Sequence, residues 1–172
     1  KLKGHADAKS FENVTVLFTD FVNFTGISAN MSPEKLVKEI DTCFQAFDRI
    51  VDTYGLEKIK TIGDAYLAVC GLPHADANHA TNCVKAALAI RAFMKERASQ
   101  TDSALSKIRI GLNSGPLVAG IVGLKKFAYD IWGDTVNTAA RMEQNGEAGK
   151  INVSGTTHEL IKDDFICEYR GK

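Results

Sequence analysis

The chain has 172 residues, enough for one domain that buries roughly two-thirds of its unfolded surface. Its 21 Lys plus Arg balance 21 Asp plus Glu, so there is no basic excess to serve general nucleic-acid or acidic-membrane binding, and an anionic ligand must be held by a local site. No apolar run approaches the ~18 residues of a membrane span and the opening KLKGHADAKS carries no signal-peptide core, so a soluble, cytoplasmic segment is expected, with any membrane anchor or regulatory domain elsewhere in a longer chain.

In chain order, Val14-Thr15-Val16-Leu17-Phe18-Thr19-Asp20 reads as a buried strand ending in an acid. Ser32-Pro33-Glu34 then opens a helix, with serine as N-cap, proline at the first helical position and glutamate at the positive end of the dipole. Leu36, Val37, Ile40, Phe44, Phe47, Ile50 and Val51 form its apolar stripe, and Gly55 stops it. Residues 56–71 read as a hairpin turning at Gly63-Asp64. A second helix is predicted over about 76–98, with Val84, Leu88, Ile90 and Phe93 among its apolar positions. Ile108 to Asn113 is the next strand. Gly115, Gly120 and Gly123 break up an apolar stretch expected to continue as a hairpin through Tyr129-Asp130-Ile131-Trp132. Asp134 or Thr135 caps a short helix running to about Glu143, and Ile151-Asn152-Val153 returns as a strand.

The order β-α-β-β-α-β followed by β-β-α-β predicts an α+β fold, a ferredoxin-like core with a C-terminal extension, in one domain over residues 1–172. Cys43, Cys70, Cys83 and Cys167 are far apart and contain no CxxC, so buried free thiols in a reducing compartment are expected. His5, His74, His79 and His158 lie in polar or loop contexts and read as surface residues.

The segment KIKTIGDAY (58–66) poses a sharper question, because a turn needs no lysine at position 60. Taken alone, Lys60 reads as a solvated strand residue and Asp64 as a turn former. The fold order changes this. Strand one would lie beside the hairpin at the centre of the sheet, so Asp20 and Asp64 would converge on one edge. Two carboxylates with nearby carbonyls make an all-oxygen site suited to Mg²⁺. Two metals roughly 4 Å apart can serve an attacking oxygen and a leaving phosphate. The alternative keeps Asp20 as a helix cap and Asp64 as a turn residue.

Four segments in order, VTVLFTDFVNFT (14–25), KIKTIGDAY (58–66), IRIGLNSGPLVAGIVG (108–123) and YDIWGDTVNTAARME (129–143), resemble the class III nucleotidyl cyclase catalytic domain. The similarity runs from about Val14 to the end of the chain. It implies an adenylate cyclase that converts ATP to cyclic AMP and pyrophosphate with two Mg²⁺ or Mn²⁺ per active site. Asp20 and Asp64 match the metal-binding aspartates, and the Phe21 carbonyl is a further candidate ligand. Lys60 and Asp130 fall at the two purine-facing positions, where guanylyl members usually carry glutamate and cysteine. Asn137 and Arg141 match the pair that orients the ribose and stabilises the pentavalent phosphorus. The resemblance also implies a homodimer whose two active sites are shared between subunits, with Leu117 to Trp132 a candidate part of the interface. Family members continue past the YRGK-like segment into a strand whose lysine binds the triphosphate; Lys172 stands before that position and is not assigned the role.

Physical chemistry supports these roles separately. Adenine offers an acceptor at N1 and a donor at N6, complementary to an ammonium and a carboxylate, whereas guanine wants an acceptor where Lys60 stands. Asn137 and Arg141 are spaced i, i+4 and share one helix face; the alternative is an Arg141 that salt-bridges Glu143 or another acid. No histidine is an obvious base, which leaves Asp20 or a metal-bound hydroxide to take the 3′ proton. The competing functions are a guanylate cyclase, a catalytically silent cyclase-homology dimerisation module, and a diguanylate cyclase or polymerase palm. The last two groups fit poorly, because both acids and the Asn-Arg pair are present and the turn reads IGDAY.

Overall fold

The computed structural model describes residues 7–100, 105–123, 125 and 128–171. Its elements are β1 (Asp7–Phe21), α1 (Phe24–Ala29), α2 (Pro33–Thr53), β2 (Glu57–Ile62), β3 (Ala65–Cys70), α3 (His79–Gln100), β4 (Ile108–Val122), β5 (Ala128–Trp132), α4 (Asp134–Gln144), β6 (Ile151–Val153) and α5 (Gly155–Ile161). Among the described residues the strands form one sheet in the order β2-β3-β1-β4-β5, with β6 pairing in parallel to the first half of β4 and the other pairings antiparallel. This is the mixed α+β architecture expected, with β1 at the centre. None of the described helices is long and apolar enough to cross a membrane.

Local chemistry explains the best-predicted elements. The Ser32 side chain caps α2 by accepting the Lys35 N–H at 3.3 Å, with Pro33 in the first turn. Gly55, at φ 77°, ends that helix in a conformation other residues avoid. Gly63, at φ 60°, occupies the first position of the two-residue turn between β2 and β3, the arrangement of a II′ hairpin.

The two faces of β1 feed two apolar clusters. Leu17 and Phe21 pack with Cys43, Phe47 and Tyr66 beneath α2 and α3, while Val16 and Phe18 pack with Leu117, Val136 and Ala139 beneath α4. Each fully buried large side chain contributes about 1.5–3 kcal/mol. Phe21, Phe44, Phe47 and Tyr66 form a cluster of stacked, tilted and edge-on rings, and the Tyr66 hydroxyl donates to Asp48 at 2.7 Å, so even the polar tip is satisfied.

The structure departs from expectation in four places. Gly115 and Gly120 do not break β4, which runs on to Val122 and pairs with both β1 and β5 in its second half. At Gly115 an added Cβ would lie 2.8 Å from Thr135 Oγ1, so this glycine makes room for α4 instead of turning the chain. The extension consequently starts at β5 and reads β5-α4-β6-α5. The short helices α1 and α5, six and seven residues long, carry too few turns for a periodic signal. Cys43, Cys70 and Cys83 are buried free thiols, but Cys167 is exposed.

His79 is the fourth. His74 is exposed and His158 half-buried, as a surface reading requires, and His5 lies outside the described residues, but His79 is only 7% exposed. Its Nδ1 is 2.7 Å from Thr15 Oγ1, which in turn meets Ser114 Oγ at 2.7 Å; Ser114 Oγ meets Thr157 Oγ1 at 2.8 Å. This buried polar seam ties α3 to β1, β4 and α5, and polar partners are what make such burial tolerable. Burial lowers the His79 pKa from 6.5, opposed by the nearby Asp76 charge. Below pH 6.5 the unfolded chain therefore binds a proton that the folded chain resists, and stability falls as pH falls, by at most about 1.4 kcal/mol per pH unit until the folded-state pKa is reached. Calorimetry between pH 5 and 7 should show this decline in the wild type and a shallower one in His79→Gln. Equal slopes would remove His79 as the cause.

Candidate active site

Asp20 is the second-last residue of β1 and Asp64 sits in the turn that leads into β3, the strand paired with β1. The structure brings them together: the Phe21 N–H donates to Asp64 Oδ2 at 3.1 Å, which moors the turn to the end of β1. Burial pushes the Asp64 carboxyl up, the Phe21 N–H opposes this, and the Asp20 charge adds to the rise. A carboxyl so placed gains from any cation that arrives. The Phe21 ring is buried in the aromatic cluster, so its backbone at the site is held from behind.

Two further residues join these acids, and the sequence reading missed both. Arg109 in β4 lies directly across from Asp20 in the β1–β4 register. Its Nε and Nη2 donate to Asp20 Oδ1 and Oδ2 at 3.2 and 3.1 Å, a two-pronged pair. Glu143 of α4 is 4% exposed, and its Oε1 lies 3.5 Å from Arg109 Nε. Burial and then the neighbouring Asp20 raise the Glu143 carboxyl well above the ordinary range. Gly111 sets this contact: a Cβ there would come within 2.1 Å of the Glu143 nitrogen, so α4 rests directly on the β4 backbone.

Lys60 and Asp130 form a second group. They lie on β2 and β5, the outer strands of the five-strand order, yet Lys60 Nζ donates to Asp130 Oδ2 at 2.8 Å. The sheet must curl until its edges meet. A register shift in β2 between Lys58 and Lys60 helps re-aim the lysine, as bulges do. Asp130 Oδ1 accepts the Ile131 N–H at 2.8 Å, so the carboxylate is fixed at both oxygens.

Asn137 and Arg141 are exposed on α4, and among the described residues the Arg141 guanidinium makes no ion pair with Glu143, which faces Arg109 instead. Residues two apart on a helix differ by roughly 200° in direction. Glu143 therefore points at the Asp20 group while Arg141 points away from it. One chain assembles the acids and, separately, the Lys60–Asp130 pair, but does not bring Asn137 and Arg141 to the acids.

A divalent cation fits the acid group. Among the described residues no three His, Cys, Asp or Glu side chains form a ready-made cage. Two carboxylates would leave most coordination positions to carbonyls, water and phosphate oxygens, which is how Mg²⁺ is commonly held. The guanidinium on Asp20 already answers that carboxylate's demand for positive charge.

A family model described as the adenylate and guanylate cyclase catalytic domain matches residues 6–172. An adenylate cyclase of Mycobacterium tuberculosis is 39% identical over 95% of the chain, and atrial natriuretic peptide receptor 2 of Homo sapiens 42% identical over 95%. The chain spans 37% and 16% of the length of these two relatives. The crystal structure of the catalytic core of a rhodopsin-guanylyl cyclase with converted specificity, in complex with ATPαS, superposes with a TM-score of 0.86 at 42% identity, covering 93% of this chain and 86% of the other.

Proposed function

The chain belongs to the adenylate and guanylate cyclase catalytic-domain family, and we propose that it converts ATP to cyclic AMP and pyrophosphate at sites shared between two copies of itself. Membership alone leaves the base open, since adenylate and guanylyl cyclases both resemble it. The observation that carries the choice is the Lys60–Asp130 pair. Lys60 is 44% and Asp130 16% exposed in their side chains, and a pair so placed stabilises a fold by only about 0–1 kcal/mol. An ammonium donor fixed beside a carboxylate acceptor is what adenine N1 and N6 require. Guanine would leave the lysine facing an N–H, and an unpaired polar group in the pocket penalises the wrong base.

The remaining roles follow from charge and reach. Asp20 and Asp64, with the Phe21 carbonyl, would hold the two divalent cations. When bound, Mg²⁺ or Mn²⁺ supplies the positive charge that favours an ionised ribose 3′ oxygen and neutralises the departing pyrophosphate. Asn137 and Arg141 of the second copy approach from the exposed face of α4; the asparagine orients the ribose and the guanidinium balances charge building on the α-phosphate. Arg109, beside Asp20, offers a cation to the same anionic ligand.

The test is the product. The full-length protein given ATP or GTP with Mg²⁺ or Mn²⁺ should form cyclic AMP. Cyclic GMP alone would overturn the base assignment, and neither product would overturn the cyclase reading. Lys60→Glu combined with Asp130→Cys should raise GTP use relative to ATP by at least about tenfold, the scale of one misplaced hydrogen-bonding group. An unchanged ratio in initial-rate assays would show that base choice lies elsewhere.

A further inference from the structure

Arg109 and a divalent cation compete for the same oxygens. Each carboxylate oxygen of Asp20 accepts one N–H, from Nε and Nη2 of Arg109, so a metal ligated by Asp20 shares those oxygens with a guanidinium that its positive charge repels. A half-buried guanidinium that loses its partner is costly, because its N–H donors are left without acceptors where water is restricted. Arg109 is 30% exposed in its side chain, so solvent alone does not relieve this. Two acceptors stand ready on α4. Glu143 Oε1 is 3.5 Å from Arg109 Nε, is buried, and has no hydrogen-bond partner of its own; the Gln144 carbonyl accepts from Nη1 at 3.5 Å. Both distances are at the outer limit of a hydrogen bond, so a small turn of the guanidinium toward α4 shortens them as it frees Asp20. The acceptors cannot recede, since the missing side chain at Gly111 seats the Glu143 backbone against β4.

We propose that Glu143 is a positioning residue whose buried oxygen accepts from the Arg109 guanidinium when a divalent cation takes Asp20, so that the displaced donors keep a partner beside the acid site. This rests on the reading of Asp20 as a metal ligand. The handover also keeps the guanidinium beside the acid site instead of swinging into solvent. The Glu143 oxygen, buried in a packed interface without a hydrogen bond, is the seat kept for it.

The probe is Mn²⁺ alone, titrated into the full chain without nucleotide and followed by electron paramagnetic resonance. Glu143→Ala should weaken Mn²⁺ binding about tenfold, the scale of one hydrogen bond to a charged group. Glu143→Gln, which keeps a carbonyl oxygen at the same reach, should recover part of the loss; a role of Glu143 as bulk negative charge predicts no recovery. In an Arg109→Met background Mn²⁺ should bind at least as tightly as in the wild type, and Glu143→Ala should then change affinity by less than about twofold, since there is no guanidinium left to receive. Melting curves for each variant separate these effects from misfolding, and Glu143→Gln keeps the packing volume if alanine does not fold. A Glu143→Ala effect of the same size with and without Arg109 overturns the handover. If the wild type binds Mn²⁺ no better than Asp20→Asn, the metal reading of Asp20 fails and the handover with it.

Discussion

Asp64→Ala is expected to fold with nearly unchanged stability and to lose at least about a thousandfold in cyclase turnover. The small structural effect follows from where the residue sits. Asp64 is a half-buried turn residue whose one inward hydrogen bond, from the Phe21 N–H, is worth about 1 kcal/mol. Removing it also removes repulsion with Asp20, and Gly63 at φ 60° still makes the turn. For a chain of this size a loss of 1 kcal/mol lowers the melting temperature by about 2–4 °C. The functional effect is larger because Asp64 is one of only two side-chain carboxylates proposed to hold the cation. Charge stabilisation by a bound metal is worth several kcal/mol, and about 4 kcal/mol is a thousandfold in rate. Circular dichroism and a Mn²⁺-supported activity assay on the same preparation separate the two quantities. Metal-dependent turnover that survives in a folded Asp64→Ala would remove Asp64 from the site.

The parts of the molecule that could be read from sequence are those whose signal is local. Ser32-Pro33 and Gly63-Asp64 specify a helix start and a hairpin turn within a few residues, and both form as expected. The convergence of Asp20 with Asp64 was legible one level up, because it follows from strand order alone. Arg109 was not. The alternation Ile108-Arg109-Ile110-Gly111-Leu112 puts Arg109 and Gly111 on one face, but that this is the face of Asp20 depends on a β1–β4 register joining residues 89 apart. Glu143 had a fainter signal. Val136, Ala139 and Glu143 are spaced i, i+3, i+7, so the acid falls on the buried stripe of α4, where a charge calls for a partner. His79 was misread because its neighbours in sequence are polar while its neighbours in space, Thr15 and Ser114, come from distant strands. The Lys60–Asp130 contact needed the curl of the whole sheet, which no stretch of sequence displays.

Mixing two inactive variants should restore activity, and the geometry of α4 is the reason. Glu143 on the inner face of that helix reaches the acid group of its own chain, and Arg141, roughly 200° around, turns outward. If the outward face of α4 completes the acid site of a second copy, each active site takes Asp20 and Asp64 from one chain and Asn137 and Arg141 from the other. Two-fold symmetry then gives two equivalent sites per dimer. Asp20→Ala homodimers lack an acid at both sites, and Arg141→Ala homodimers lack the guanidinium at both, so each alone should be at least about a thousandfold down. In a heterodimer the two lesions fall together on one site and leave the other intact. Random exchange makes heterodimers about half of the population, each with one working site of two, so roughly a quarter of wild-type activity should return. Arg141 is exposed, so its loss leaves the packing alone, whereas Asp20→Ala takes the partner from the Arg109 guanidinium, and melting curves of both homodimers check that each still folds. Subunit exchange is followed independently by mass-tagged mixing. A mixture that exchanges subunits yet stays inactive would mean that each chain builds its site alone, and Arg141 would have to reach Asp20 by a rearrangement of α4 that breaks its seat on Gly111.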